Sequence, residues 1–364
     1  MNPENTSPSK PLLEIRGLQT VFHTSEGEAR AIDSLDLTLA AGEIVGLVGE
    51  SGSGKTVTAL SILGLIQPPG EVVAGEILFD GLALHTFSES DWPTVRGSRI
   101  AMIFQDPKNR LNPVFSVGAQ IAEILHVHQG LSKSSSWEHM RKLLKEVELA
   151  DADERANAFP HELSMGQAQR VMIAMALALE PEIIIADEPT SSLDATIQAQ
   201  ILQLIKTRQR QKGTAMLLIT HDMAAIAQLA QRVVVLYAGH VLEQAPVEAL
   251  YRHPHHPYTR GLIDSIPANQ TLGESLYSIP GSIPDARDLP DACRFAPRCE
   301  ARVSYGLEIC EQRLPELHAI APAHSVRCWL YHSQGRYKAP LEPEPSSGPR
   351  SRASGNPSRK SSQS

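Results

Sequence analysis

Short, almost uninterrupted apolar runs recur along this chain at residues 44–48, 98–104, 183–186, 216–220 and 233–237. Runs of that length and continuity suit strands buried on both faces of a parallel sheet. Between them, residues 56–66, 117–126, 137–147 and 167–179 carry apolar positions at helical spacing, so strand and helix alternate. Residues 13–15 and 35–39 alternate instead, which predicts antiparallel strands leading into the first buried strand, with a further strand at 73–79. The Gln67-Pro68-Pro69-Gly70 stretch is expected to end the first helix. From about residue 106 to 170 the period is helical throughout, which marks an inserted α-subdomain. Residues 1–10 and 336–364 are polar and rich in Pro and Ser, without apolar periodicity, and are expected to be disordered.

Length and composition narrow this picture only modestly. A chain of 364 residues with 42% hydrophobic content predicts two domains and a sizeable core. Its longest apolar stretches are strand-length or broken by charges, so membrane association is expected to come through a partner. The net charge of −8 argues against nucleic acid as a ligand.

Chemistry enters at Gly49-Glu50-Ser51-Gly52-Ser53-Gly54-Lys55-Thr56, which fits G-x-x-x-x-G-K-[ST] between a predicted strand and a predicted helix. Glycines let successive backbone N–H groups turn toward phosphates. Lys55 is placed to neutralise the β- and γ-phosphates of ATP, and the Thr56 hydroxyl to bind Mg²⁺. The run 183–186 ends in Asp187 and Glu188, beyond the carboxyl end of a parallel strand, where such sheets deliver ligands. Asp187 suits Mg²⁺, and Glu188 suits polarising the attacking water. Gln105 follows another strand and can reach the metal or the water, while His221 follows residues 216–220 and can hold the γ-phosphate. Asp194 reads as the N-cap of a helix starting near Ala195. Leu163-Ser164-Met165-Gly166-Gln167, opening a helix, supplies a separate phosphate-recognition surface, as half of an ATP sandwich.

Taken in order, these motifs resemble the nucleotide-binding subunit of an ATP-binding cassette (ABC) transporter over roughly residues 11–265. The resemblance implies a P-loop NTPase fold of the ABC type: α/β, a mostly parallel core sheet, an antiparallel β subdomain and an inserted α-helical subdomain at about 106–170. In that pattern residues 49–56 match Walker A, Gln105 the Q-loop, Ser164 to Gln167 the signature, residues 183–188 Walker B, Ser192 to Asp194 the D-loop and His221 the switch histidine. Phe22 falls where the family places an aromatic ring under the adenine. Phe104-Gln105-Asp106-Pro107, Leu111-Asn112-Pro113 and His253-Pro254-His255-His256-Pro257-Tyr258-Thr259 narrow the likeness to the oligopeptide, dipeptide and nickel permeases. Short peptides are the implied cargo, with nickel or another small solute as the alternative.

All four cysteines, Cys293, Cys299, Cys310 and Cys328, lie in a small C-terminal extension at 266–335. No signal-peptide pattern opens the sequence and an ATP-consuming domain belongs in a reducing compartment, so disulfides are not expected. The spacing lacks the paired C-x₂-C of a zinc ribbon. Extensions in the resembled family can carry a four-cysteine iron–sulfur cluster, which implies [4Fe–4S] here; four buried, incidental thiols are the competing reading.

The resemblance implies a mechanism of alternating dimerisation and hydrolysis. Two cassettes sandwich two ATP molecules, each between one chain's Walker A and the other's signature, and closure moves attached subunits. Glu188 acts as base or water-orienter, with Lys55, Mg²⁺ and His221 on the γ-phosphate. The implied partners are two integral membrane permease subunits, a second cassette that is a non-identical paralogue and, indirectly, an extracytoplasmic solute-binding protein, with no nucleic acid. The implied location is peripheral, on the cytoplasmic face of the inner membrane. The rival readings are a soluble ABC ATPase without a transport role and a weakly hydrolysing regulatory cassette. The second is prompted by Met165, where the family usually has glycine.

Overall fold

Period-two alternation divides every central strand between two cores. The computed structural model describes residues 10–191, 193–266 and 278–332. Residues 1–9 of the N-terminal segment, Ser192, the tail at 336–364 and parts of the extension lie outside the described residues.

Strands β1 (Leu13–Thr24) and β2 (Gly27–Leu39) form a long antiparallel pair that hands the chain to β3 (Ile44–Val48) and α1 (Lys55–Ile62). Strand β4 (Gly70–Phe79) returns antiparallel to β1, and the short β5 (Leu82–Ala83) completes a four-stranded sheet in the order β2-β1-β4-β5. After β6 (Ile100–Ile103) come α2 (Pro107–Arg110), α3 (Val117–Gln129), α4 (Lys133–Glu146), α5 (Ala152–Arg155) and α6 (Met165–Leu177). Alternation then resumes with β7 (Ile183–Asp187), α7 (Ala195–Lys212), β8 (Ala215–Thr220), α8 (Met223–Leu229), β9 (Arg232–Tyr237), β10 (His240–Pro246), α9 (Val247–Arg252) and α10 (Pro257–Asp264). The extension contributes α11 (Glu300–Ser304), β11 (His318–Ala321) and β12 (His324–Val326).

The main sheet has eight strands in the order β11-β12-β10-β9-β3-β8-β7-β6, of which β9, β3, β8, β7 and β6 run parallel. Ile184, Ala186, Leu218 and Val235 point into the core shared with the helical insertion. Their neighbours Ile183, Ile185, Leu217 and Val234 point into the core shared with the antiparallel sheet. Burial on both faces explains why these strands read as continuous apolar runs.

Helix α1 stops at Ile62, earlier than its apolar period suggests. Gly64 adopts a left-handed φ of 60°, and a Cβ there would lie 2.2 Å from the Trp92 ring, so the helix ends against a side chain distant in sequence. Among the described residues, no helix is long and apolar enough to cross a membrane.

The extension is continuous with the main sheet, since β12 pairs antiparallel with β10 through Glu243 opposite Val326 and Gln244 opposite Ser325. Phe295, Leu307, Trp329 and three of the cysteines join the same core as β9 and β10. Glu243 is fully buried there and accepts hydrogen bonds from the His255 and His256 N–H groups at 2.8 and 2.9 Å and from His324 Nε2 at 2.7 Å. Burial alone would raise its pKa, but these three donors hold the carboxyl below its ordinary range. The His-rich motif before α10 is thereby folded around one carboxylate.

Candidate nucleotide site

The loop after β3 is shaped by glycines where side chains cannot fit. A Cβ on Gly49 would lie 2.1 Å from the Leu236 carbonyl oxygen, and one on Gly54 2.5 Å from that of Ala31. Gly54 also has φ 108°, a conformation open mainly to glycine. Ser51 and Gly52 are exposed at the tip, while Ser53 is buried and its Oγ has no hydrogen-bond partner among the described residues. Lys55 opens α1 and donates to the carbonyls of Gly49 at 2.7 Å and Glu50 at 2.9 Å. Burial lowers its pKa, against the opposing pull of Glu188, Asp187 and Glu50.

Beside this loop, β7 carries its two carboxylates to the end of the sheet. Asp187 is buried beside the Thr56 hydroxyl, and its Oδ1 has no hydrogen-bond partner among the described residues. Burial raises its pKa, and the neighbouring Thr56 hydroxyl opposes that rise. A buried carboxylate oxygen beside a hydroxyl fits a hard cation such as Mg²⁺. Glu188 has a positive φ of 48°, held by its N–H donating to the Ile219 carbonyl at 2.8 Å. A non-glycine residue in that region is strained by about 1–3 kcal/mol, a common feature of functional sites. The Glu188 carboxylate lies 2.9 Å from His221 Nδ1 at the end of β8, and this hydrogen bond raises the histidine pKa. Together they line a cavity of about 450 Å³.

Gln105 lines a neighbouring cavity of about 510 Å³ with Arg110, Met165 and Ser191. Arg110 acts electrostatically on Asp187, so this cavity adjoins the carboxylates. Phe22 is half-buried in β1 opposite Gly70, where an added Cβ would meet its ring at 2.6 Å.

Ser164, Met165, Gly166, Gln167 and Asp194 line another cavity, of about 400 Å³. Ser164 caps α6 by accepting the Gln167 N–H at 3.2 Å, while the Gln167 side chain accepts the Ser164 N–H at 2.9 Å. This reciprocal pair is a capping box. Gly166 packs on α7, with Ile197 Cγ2 3.0 Å from a would-be Cβ. Asp194 caps α7 through the N–H groups of Thr196 and Ile197.

Two contacts at the loop were not legible as such. The Glu50 N–H donates to the Tyr258 hydroxyl at 2.8 Å, and the Glu50 carboxylate pairs with Arg298 at 2.9 Å. Both partners sit in segments that the sequence marks only as family features, the His-rich motif and the cysteine-bearing extension.

The four cysteines carry free thiols. The Cys293 N–H donates to the Cys310 carbonyl at 3.0 Å, and Cys328 is within electrostatic range of the other three. Burial pushes Cys293 up to about 11 and Cys310 up to about 12, the latter with help from Cys293 and Cys299. Among the described residues, no three His, Cys, Asp or Glu side chains converge tightly enough to hold a single metal ion.

Residues 32–191 match the family described as ABC transporter, and residues 242–305 match the oligopeptide/dipeptide transporter C-terminal region. The chain is 46% identical over 320 residues to a probable peptide ABC transporter ATP-binding protein of Sinorhizobium fredii, covering 87% of this chain and 94% of that one. It is 42% identical to an oligopeptide transport ATP-binding protein of Bacillus subtilis, over 89% of this chain and 98% of the other. A dipeptide transport ATP-binding protein of Escherichia coli is 42% identical, over 87% and 96%. A dimeric ATP-binding cassette solved in a post-hydrolysis state with ADP and Pi superimposes with a TM-score of 0.59 at 27% identity, covering 65% of this chain and 98% of that one.

Proposed function

Because the chain belongs to the ATP-binding proteins of ABC transporters, in the oligopeptide and dipeptide branch, we propose that residues 49–56, Asp187, Glu188 and His221 form its hydrolytic half-site. The protein is the ATP-hydrolysing subunit of a peptide transporter, uses ATP with Mg²⁺, and works as a dimeric cassette with membrane permease partners. Its relatives favour this over the soluble and regulatory alternatives.

The observation that carries the site assignment is the Glu188–His221 pair at 2.9 Å, at strand ends beside the glycine loop. Glu188 orients the attacking water and takes its proton, while His221 fixes the carboxylate and contacts the γ-phosphate. Lys55 exchanges its two loop carbonyls for phosphate oxygens. Thr56 and Asp187, with Gln105 from the adjoining cavity, would hold Mg²⁺, which would supply neutralisation of phosphate charge. Phe22 serves as the adenine platform. Ser164, Gly166, Gln167 and Asp194 line a different cavity from Glu188 and His221, which supports their serving the ATP held by a second cassette.

Finer features follow from the same reading. The cassette proper spans residues 11–265 and the extension 266–335. Two permease subunits anchor the cassettes on the cytoplasmic face of the membrane, an extracytoplasmic binding protein delivers the peptide, and nucleic acid has no part. Met165 supports pairing with a non-identical cassette and unequal ATP sites. Four free thiols in one buried region support a [4Fe–4S] cluster, since each cysteine of such a cluster binds its own iron and the set need not meet at one ion. Colourless, iron-free protein after anaerobic purification would exclude the cluster.

Glu188→Gln tests the site. It keeps the hydrogen-bonding shape, removes the base, and is expected to lower turnover about 10²- to 10⁴-fold while ATP-bound dimers accumulate. Undiminished ATPase activity refutes the assignment.

A further inference from the structure

Glycine-rich loops have few side chains with which to hold themselves in place, so whatever grips the loop decides where its N–H groups point. Here the grip falls on Glu50. Its N–H is taken by the Tyr258 hydroxyl, its carbonyl accepts from Lys55, and its carboxylate accepts from Arg298. Arg298 lies in the extension, 248 residues downstream. Its side chain is 6% exposed, and its remaining donors reach the Tyr237 hydroxyl at 3.3 Å, the Pro280 carbonyl at 2.7 Å and the Ile279 carbonyl at 3.3 Å. The guanidinium is thus fixed by groups outside the loop and offers the loop one fixed cation.

We infer that Arg298 is a positioning residue for ATP: through Glu50 it holds the phosphate-binding loop and keeps a carboxylate away from Lys55. The inference rests on reading residues 49–56 as the ATP phosphate site. Without Arg298, Glu50 is left as an unpaired, partly buried anion whose carbonyl already touches Lys55. That carboxylate then competes with the phosphates for the lysine and repels the incoming nucleotide. The defect is one of binding, because Glu188 and His221 directly follow β7 and β8 and are not among the hydrogen-bond partners of Arg298, which are Glu50, Tyr237, Ile279 and Pro280. Removing the Glu50 charge in the same molecule should relieve it.

The experiment measures KM for ATP and kcat on the full chain assembled with its membrane subunits. Arg298→Ala is expected to raise KM about tenfold, with kcat within about twofold of wild type. The double variant Glu50→Gln/Arg298→Ala is expected to recover most of that loss. An unchanged KM in Arg298→Ala overturns the inference, as does a defect that Glu50→Gln leaves in place, because the role would then be to hold Ile279 and Pro280. If Arg298→Ala does not fold, Arg298→Lys replaces it. Lysine cannot reproduce the planar fork, so KM should rise in the same direction and Glu50→Gln should relieve it; a wild-type KM overturns the inference. Lys55→Ala in the same assay tests the underlying reading. If it keeps a wild-type KM, both fall; if it loses ATP while Arg298→Ala does not, only the inference about Arg298 falls.

Discussion

The glycine loop and the capped start of α6 both end in a helix N-terminus, and both are proposed to receive phosphate, yet they are built in opposite ways. The loop is gripped from outside: Leu236 and Ala31 carbonyls crowd Gly49 and Gly54, and Tyr258 and Arg298 tie Glu50. The α6 terminus is capped from within its own first turn, through the reciprocal bonds of Ser164 and Gln167. One is tied by contacts from distant parts of its own chain. The other is closed by its own first turn, which suits the proposed approach of a second cassette. The same substitution made on the two sides should therefore have unequal consequences.

Gly49→Ala puts a methyl group against the Leu236 carbonyl, which cannot yield without moving β9. ATP affinity should fall about a hundredfold or more, by titration with a fluorescent nucleotide. Gly166→Ala meets only the Cγ2 methyl of Ile197, at 3.0 Å, which needs a shift of a few tenths of an ångström and no movement of backbone. Its effect on affinity should stay below about threefold. Equal effects at the two glycines would erase the contrast.

Ser164→Ala removes the cap of α6 and should cost about 1 kcal/mol of stability by chemical denaturation. A much larger loss would mean that α6 depends on its first turn as heavily as the loop depends on its anchors. His221 gives a smaller, pH-dependent signal. Its pKa is raised above the ordinary 6.5 chiefly by Glu188, so the partnership stabilises the fold fully below that ordinary value and is lost as pH rises through the raised one. The side chain is mostly exposed, so the effect on stability is modest. An NMR titration should find the His221 pKa elevated, and Glu188→Gln should bring it back down. Smallest of all, Met165→Gly should raise turnover about twofold if the methionine keeps the partner's γ-phosphate at a distance. No change would mean that the bulk is tolerated.

What the sequence made legible follows from how far apart the causes lie. The strand, loop and helix around Lys55, and the carboxylates after residues 183–186, are local consequences of an apolar period ending in polar residues. The capping of α7 by Asp194 is equally local, and a sequence-based reading finds it. The end of α1 is not, because it depends on Gly64 meeting the Trp92 ring. Nor is the Glu50–Arg298 pair, whose two members carry no pattern that refers to each other. Even the positive φ of Glu188 is imposed from β8, through a backbone bond to Ile219.

Strand β12 pairs along the outer side of β10, and the turn joining β9 to β10 donates the Gly239 N–H to the Ser53 carbonyl of the glycine loop. A chain cut after α10 would lose that partner. It would leave the amides and carbonyls of β10, and the buried Glu243 carboxylate within it, facing water as an unprotected sheet edge, the kind of surface on which copies stack and aggregate. A minimal cassette made by deleting the extension is therefore expected to aggregate more readily than the full chain, as light scattering would show.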